Sequence, residues 1–174
     1  MAVSIRDARR DDIALIFGWI VELAEYEDAP EQVKGSTELL EDALFGPTPS
    51  AEAVIAQASE STDPDGAGAC EPAGFALFHG TFSTWECRPG LWLEDLYVPP
   101  AHRREGVGAA LLAHLAAITV ARGYTRVEWA ALDWNEPALS FYEKIGAARL
   151  DPWLLHRLDG AALAQVAAMS RARD

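Results

Sequence analysis

Cysteine, histidine and positive charge are all scarce in this sequence. Cys70 and Cys87 are the only cysteines among 174 residues, and they form no CxxC pair. Two cysteines cannot build the disulfide framework of a small secreted domain. Four scattered histidines add no metal-ligand spacing, so no metal is expected. No apolar run reaches the roughly 20 residues that cross a bilayer, which excludes a helical membrane span. Near Met1, the cluster Arg6, Asp7, Arg9, Arg10, Asp11 and Asp12 replaces the apolar stretch of a secretory signal, and the chain reads as cytoplasmic. Lys and Arg number 14 against 27 Asp and Glu, a net charge of −13. That average field repels a polyanion such as nucleic acid and attracts a cationic small molecule. Half of the residues are hydrophobic and 24% are charged, an ordinary globular composition. The length suits a single domain over residues 1–174.

Hydrophobic periodicity and turn residues divide the chain into short elements. Residues 3–6 read as a strand. Residues from 11 or 12 to 26 read as a helix, with Ile13, Ile16, Phe17, Ile20, Leu23 and Ala24 at helical spacing and Pro30 breaking the pattern. A second helix starts at Ser36 or Thr37 and runs to Leu44, before Gly46 and Pro47. Strands are expected over 53–58 and 74–82, joined by a long polar loop over 60–72, and a third over 91–98 ends at Pro99 and Pro100. Residues 106–122 read as a helix, 126–132 as a strand and 135–145 as a helix capped by Asn135 and ended by Gly146. A last strand over 154–158 and a helix over 161–169, capped by Asp159, complete the order. Hairpin strands come first and strand–helix units follow. This order implies an α/β (α+β mixed) fold whose mixed, mostly antiparallel central sheet carries helices on both faces.

The segment 93–115, LEDLYVPPAHRREGVGAALLAHL, is the most informative. An apolar strand ends in a Pro pair, and the turn Arg103-Arg104-Glu105-Gly106-Val107-Gly108 opens directly into a helix. Glycine lets a ligand approach the main chain, and the first N–H groups of a helix have no partner within it. Those groups, the helix dipole and two arginines favour an anion, and a diphosphate is the natural occupant. The turn lacks the Gly-Lys-Ser/Thr of a Walker A loop. Inside the strand, Glu94 is a carboxylate that needs a partner or a purpose. Simple alternation places it and its neighbour Asp95 on opposite faces.

Arg103-x-x-Gly106-x-Gly108 after a strand resembles the diphosphate-binding motif of the GNAT superfamily of N-acetyltransferases. The likeness runs from Val3 to the expected last strand and includes WNEPALSFYEKIGA at 134–147. The segments ELAEYE (22–27), EQVK (31–34), WLEDLYV (92–98) and LDWNEPALSFY (132–142) look closest to its diamine (spermidine/spermine) and thialysine branch. The resemblance implies the GNAT fold and acetyl-CoA as co-substrate, with no metal. It implies transfer of the acetyl group to a primary amine of a small cationic substrate, a diamine, polyamine or lysine-like amine, by direct attack in a ternary complex. Acetylation of protein or peptide amines, or CoA binding without catalysis, are the competing readings. Tyr142 is the implied proton donor to the leaving thiolate, and Glu94 the implied base or ammonium anchor. Tyr26 and Glu27 are implied to line the amine site with Glu94. Leu96, Tyr97 and Val98 would offer main-chain groups to the pantetheine arm. Arg103, Arg104, Glu105, Gly106, Val107, Gly108 and Ala109 would hold the diphosphate, with further cofactor contacts from Asn135, Pro137 and Tyr142. The branch forms homodimers, so a homodimer is expected. Where that branch carries an acidic stretch before its last strand, only Asp151 precedes Pro152 and Trp153 here.

Overall fold

The computed structural model of the chain describes residues 2–59, 70–151 and 153–170. Most of the expected 60–72 loop lies outside the described residues. The chain divides into two compact units, Met1–Ala130 and Ala131–Asp174.

The first unit is built on a sheet of five strands: β1 (Ala2–Asp7), β2 (Glu52–Ser59), β3 (Glu71–Ser83), β4 (Arg88–Tyr97) and β5 (Val127–Trp129). They lie side by side in chain order. The first three pairings are antiparallel and β4–β5 is parallel. A parallel neighbour cannot be reached through a hairpin, and helix α3 (Val107–Ala121) makes the crossover.

Helices α1 (Ile13–Tyr26) and α2 (Thr37–Phe45) pack together on one face of the sheet. The apolar stripe of α1 buries Ile13, Ile16 and Trp19 against Ala53, Ile55, Phe75 and Leu77, with the Trp19 and Phe75 rings stacked 5.9 Å apart. The expected cap of α2 forms, with Leu39 N donating to Ser36 Oγ at 3.3 Å. On the other face α3 packs on β1, β3 and β4 and buries Val107, Leu111 and Leu115. Asp12 ties β1 to the start of α1. Its buried carboxylate accepts two bonds from the Arg6 guanidinium, at 2.6 and 2.8 Å, and one from Arg9 N at 2.7 Å. These donors hold its pKa below the ordinary Asp value, Arg6 contributing most.

The second unit contains α4 (Glu136–Lys144) and α5 (Gly160–Ala168). Asn135 caps α4 as expected, its side-chain oxygen accepting from Ala138 N at 3.4 Å. The expected strand over 154–158 does not form. Among the described residues no sheet pairing involves this segment, and Leu154, Leu155 and Leu158 are exposed. Its apolar run lacks the period-2 alternation of a half-buried strand, and a short apolar run becomes a strand only where a sheet edge accepts it. β5 is also shorter than expected, three residues in place of 126–132.

Candidate active site

The site begins with an irregularity in β4. Residues in register across antiparallel strands share a face of the sheet. Tyr97 pairs with Phe75 and Asp95 with Leu77, both on the α1 face, whereas Leu93 pairs with Phe78 on the α3 face. Glu94 lies between these registers without a partner on β3, which makes it the extra residue of a β-bulge. Trp92, paired with His79, returns to the α1 face. There the Trp92 indole Nε1 donates to Glu94 Oε2 at 2.8 Å, and His79 Nε2 lies 3.8 Å from the same oxygen. Glu94 and Asp95 therefore both emerge on the α1 face. This corrects the alternation argument, because a bulge resets the parity of every residue beyond it.

The geometry crowds like charges. Asp95 is half-buried and its pKa is pushed up to about 6, first by burial and then by the charges of Glu94 and Glu27. Glu27, the residue that ends α1, is itself shifted upward by burial. Neither carboxylate has a hydrogen bond or ion pair among the described residues. Asp95 was missed as a site residue because its relevance depends on the bulge. The available signal was the unusual pair of adjacent acids in an apolar strand. Tyr26 is exposed one residue earlier, at the last turn of α1.

Beyond the bulge β4 separates from its parallel neighbour. β5 pairs with Leu91–Leu93 only, and no strand among the described residues pairs with that edge from Glu94 onward. The side chains of Leu96 and Val98 face α3, within reach of Gly108, whereas Tyr97 is buried on the α1 face. Its hydroxyl donates to Glu22 Oε2 at 2.8 Å. The close packing here depends on Gly74, where a Cβ would lie 2.6 Å from Tyr97 O.

A short turn, Pro100–His102, then leads to the basic segment. Arg104 has a φ of 67° and Gly106 a φ of 86°, two left-handed residues that fold the main chain back into the start of α3. No side chain caps this helix, so the N–H groups of Val107, Gly108 and Ala109 remain for an anion. Arg104 and Glu105 are exposed. Glu105 Oε2 sits 3.4 Å from His102 Nδ1, and Glu71 Oε1 lies 3.6 Å from the other ring nitrogen. Arg103 is directed elsewhere, over the Tyr26 ring.

In the second unit, Pro137 occupies the first turn of α4 behind the Asn135 cap. Tyr142 is half-buried farther along the same helix, its ring 5.7 Å from that of Phe141. Among the described residues no group of three or more His, Cys, Asp and Glu could hold a metal ion. No helix there is long and apolar enough to cross a membrane.

One end of β4 thus offers desolvated carboxylates suited to a cation, and the connection that follows offers unbonded main-chain donors suited to a phosphorylated carrier. This is the layout of a group-transfer enzyme that takes an anionic donor and a cationic acceptor. The chain belongs to the Acetyltransferase (GNAT) family, whose model matches residues 22–147, and it is an acetyltransferase. Enzymes of this family use acetyl-CoA as co-substrate. The chain is 36% identical over 169 residues to a thialysine N-epsilon-acetyltransferase of Bos taurus, covering 95% of this chain and 97% of that protein. It is 41% identical over 91 residues to an L-ornithine N5-acetyltransferase of Arabidopsis thaliana, covering 52% of this chain and 40% of that protein. The fold is shared with an integron cassette protein of V. cholerae, with a TM-score of 0.73, 24% identity and coverage of 96% and 98% of the two chains.

Proposed function

We propose that this acetyltransferase acts on the terminal primary amine of a small, flexible cationic substrate, a lysine-like amino acid or a diamine. The observation that carries the reading is the convergence of Glu94, Asp95 and Glu27 on the α1 face of β4, in the strand whose following turn opens into the uncapped start of α3. The names of the relatives support it, since thialysine and ornithine both carry a primary amine at the end of a short chain.

The start of α3 fits the diphosphate of acetyl-CoA, because Gly106, Val107, Gly108 and Ala109 present main chain without a side-chain cap. The edge of β4 at Leu96 and Tyr97, unpaired among the described residues, and Val98 after it fit the amides of the pantetheine arm. Bound acetyl-CoA supplies a thioester as the acylating group. Asn135 and Pro137 add cofactor contacts by family resemblance, and Tyr26 lines the amine side with Glu27.

The amine must lose its proton before it attacks. An alkylammonium with a pKa near 10.4 costs about 4–5 kcal/mol to deprotonate at pH 7. A carboxylate within reach of the ammonium, directly or through water, can accept that proton. Glu94 receives the ammonium and passes its proton toward solvent. Asp95 and Glu27 supply the surrounding negative potential, and Asp95 sets the pH at which that potential is complete. Tyr142 gives its hydroxyl proton to the leaving sulfur.

The family match crosses the boundary between the two units, which supports one acetyltransferase domain. Cys70 and Cys87 are free and exposed, which suits the reducing cytoplasm. A homodimer follows from the family resemblance, and sedimentation would test it. The decisive experiment is release of CoA thiol from acetyl-CoA with putrescine, spermidine, spermine, lysine, thialysine, ornithine and a basic peptide. Turnover concentrated on one or two small terminal amines is expected; turnover of the peptide alone would overturn the reading. Tyr142→Phe should lower kcat by about 100-fold with acetyl-CoA affinity unchanged.

A further inference from the structure

Arg103 and Arg104 are adjacent in the turn, yet their guanidinium groups have different surroundings. The Arg103 guanidinium carbon lies 4.9 Å from the centre of the Tyr26 ring and 5.9 Å from that of Tyr97, both within cation–π range. Its Nε donates to Val98 O at 3.0 Å, and the Tyr97 hydroxyl continues the chain of contacts to Glu22 on α1. Arg103 thus joins three segments: the last turn of α1, the end of β4 and the diphosphate turn. Arg104 is exposed and makes no hydrogen bond or ion pair among the described residues. It holds a left-handed φ of 67°, a conformation that residues other than glycine seldom adopt.

We infer that Arg103 is a positioning residue that fastens the amine-side end of α1 to the cofactor turn, leaving Arg104 to supply the side-chain charge for the diphosphate. Tyr26 and Glu27 are the last helical residue and the C-cap of α1, so whatever holds the Tyr26 ring also fixes the Glu27 carboxylate. The planar guanidinium is needed for this. A lysine keeps the charge but loses the flat surface over the two rings and the fixed Nε bond to Val98. The inference rests on the proposed amine site and refines it, since it gives the two arginines separate substrates to serve.

The test compares Arg103→Lys with Arg104→Gly, measuring acetyl-CoA affinity by calorimetry and KM for the preferred amine by thiol release. Arg104→Gly removes the charge at a φ that glycine adopts freely. Arg103→Lys should raise the amine KM about tenfold and change the acetyl-CoA Kd by less than about threefold. Arg104→Gly should do the reverse, weakening acetyl-CoA about fivefold and leaving the amine KM unchanged. Acetyl-CoA affinity falling more in Arg103→Lys than in Arg104→Gly would overturn the inference. Tyr26→Leu approaches the same contact from an exposed residue and guards against a poorly folded arginine variant. It should speed amide hydrogen exchange over residues 23–28 without altering acetyl-CoA affinity; unchanged exchange would count against the tether. If the wild-type enzyme acetylates none of the amines, the substrate reading falls, while the calorimetric comparison still decides the roles of the two arginines.

Discussion

The two proposed seats, one on the α1 face of β4 and one at the start of α3, are built from different materials. The acidic seat consists of side chains, Glu27, Glu94 and Asp95, crowded on one face of the sheet, with Asp95 and Glu27 partly desolvated. The anion seat consists mainly of backbone, the N–H groups at an uncapped helix start reached through left-handed residues. Side-chain carboxylates titrate, repel each other and cost stability. Backbone amides carry no proton equilibrium in the physiological range. Amine recognition should therefore depend on pH, whereas cofactor binding should depend on main-chain geometry.

The sharpest break in this contrast is Glu94→Gln. It keeps the shape and an acceptor for the Trp92 indole but removes the charge. Loss of a general base or ammonium anchor is expected to lower kcat/KM for the amine about 10–100-fold, with acetyl-CoA affinity unchanged. Steady-state kinetics with the preferred amine measures it. Equal damage to both substrates would mean that the two seats are not separate.

Asp95→Asn sharpens the contrast by linking function to stability. The Asp95 carboxyl holds its proton up to about pH 6 when folded and to about 3.8 as an ordinary Asp. Between those values the folded state binds more protons than the unfolded one, so stability falls as pH rises through that window. Asp95→Asn should remove this loss and gain about 1–3 kcal/mol at pH 7, with no gain below pH 4. Thermal melts across pH 3–8 would show it. The same variant should lose the acid limb of amine kcat/KM near pH 6. A variant no more stable than wild type at pH 7 would mean that Asp95 is not strained by its surroundings.

The two seats also differ in how far the sequence revealed them. The turn and helix start proposed as the anion seat were legible, because Gly106, Gly108 and the Pro pair are local signals that act through backbone conformation. The helices α1 to α4 were legible for the same reason, since apolar periodicity, helix stops and, for α2 and α4, the caps Ser36 and Asn135 act within a few residues. The acidic seat was half legible. Adjacent acids in a strand marked the position, but the bulge that turns Asp95 to the α1 face arises from pairing with β3, a non-local event. Arg103 meets Tyr26, far away in sequence, and no spacing rule connects them. The failed strand over 154–158 teaches the same lesson. An apolar run specifies burial, and pairing decides whether it becomes a strand.

The smallest expected effect is at Gly106. A Cβ there meets nothing within 4 Å, so steric crowding contributes nothing and the whole cost of Gly106→Ala comes from its φ of 86°. That conformation costs an L-residue roughly 1–2 kcal/mol, and each kcal/mol lowers the melting temperature of a chain this size by about 2–4 °C. The turn can recover part of the cost by rotating out of the left-handed region, which re-aims the N–H groups of Val107 and Gly108. Acetyl-CoA affinity should then fall several-fold and the amine KM should stay constant. Gly106→Asn, whose side chain tolerates the left-handed region better, should fall between alanine and wild type on both measures. Such a ranking follows backbone tolerance and ignores side-chain charge, as expected of a seat made from main chain. If alanine binds acetyl-CoA as tightly as glycine, the turn's charge rather than its geometry carries the cofactor, and the contrast between the two seats collapses.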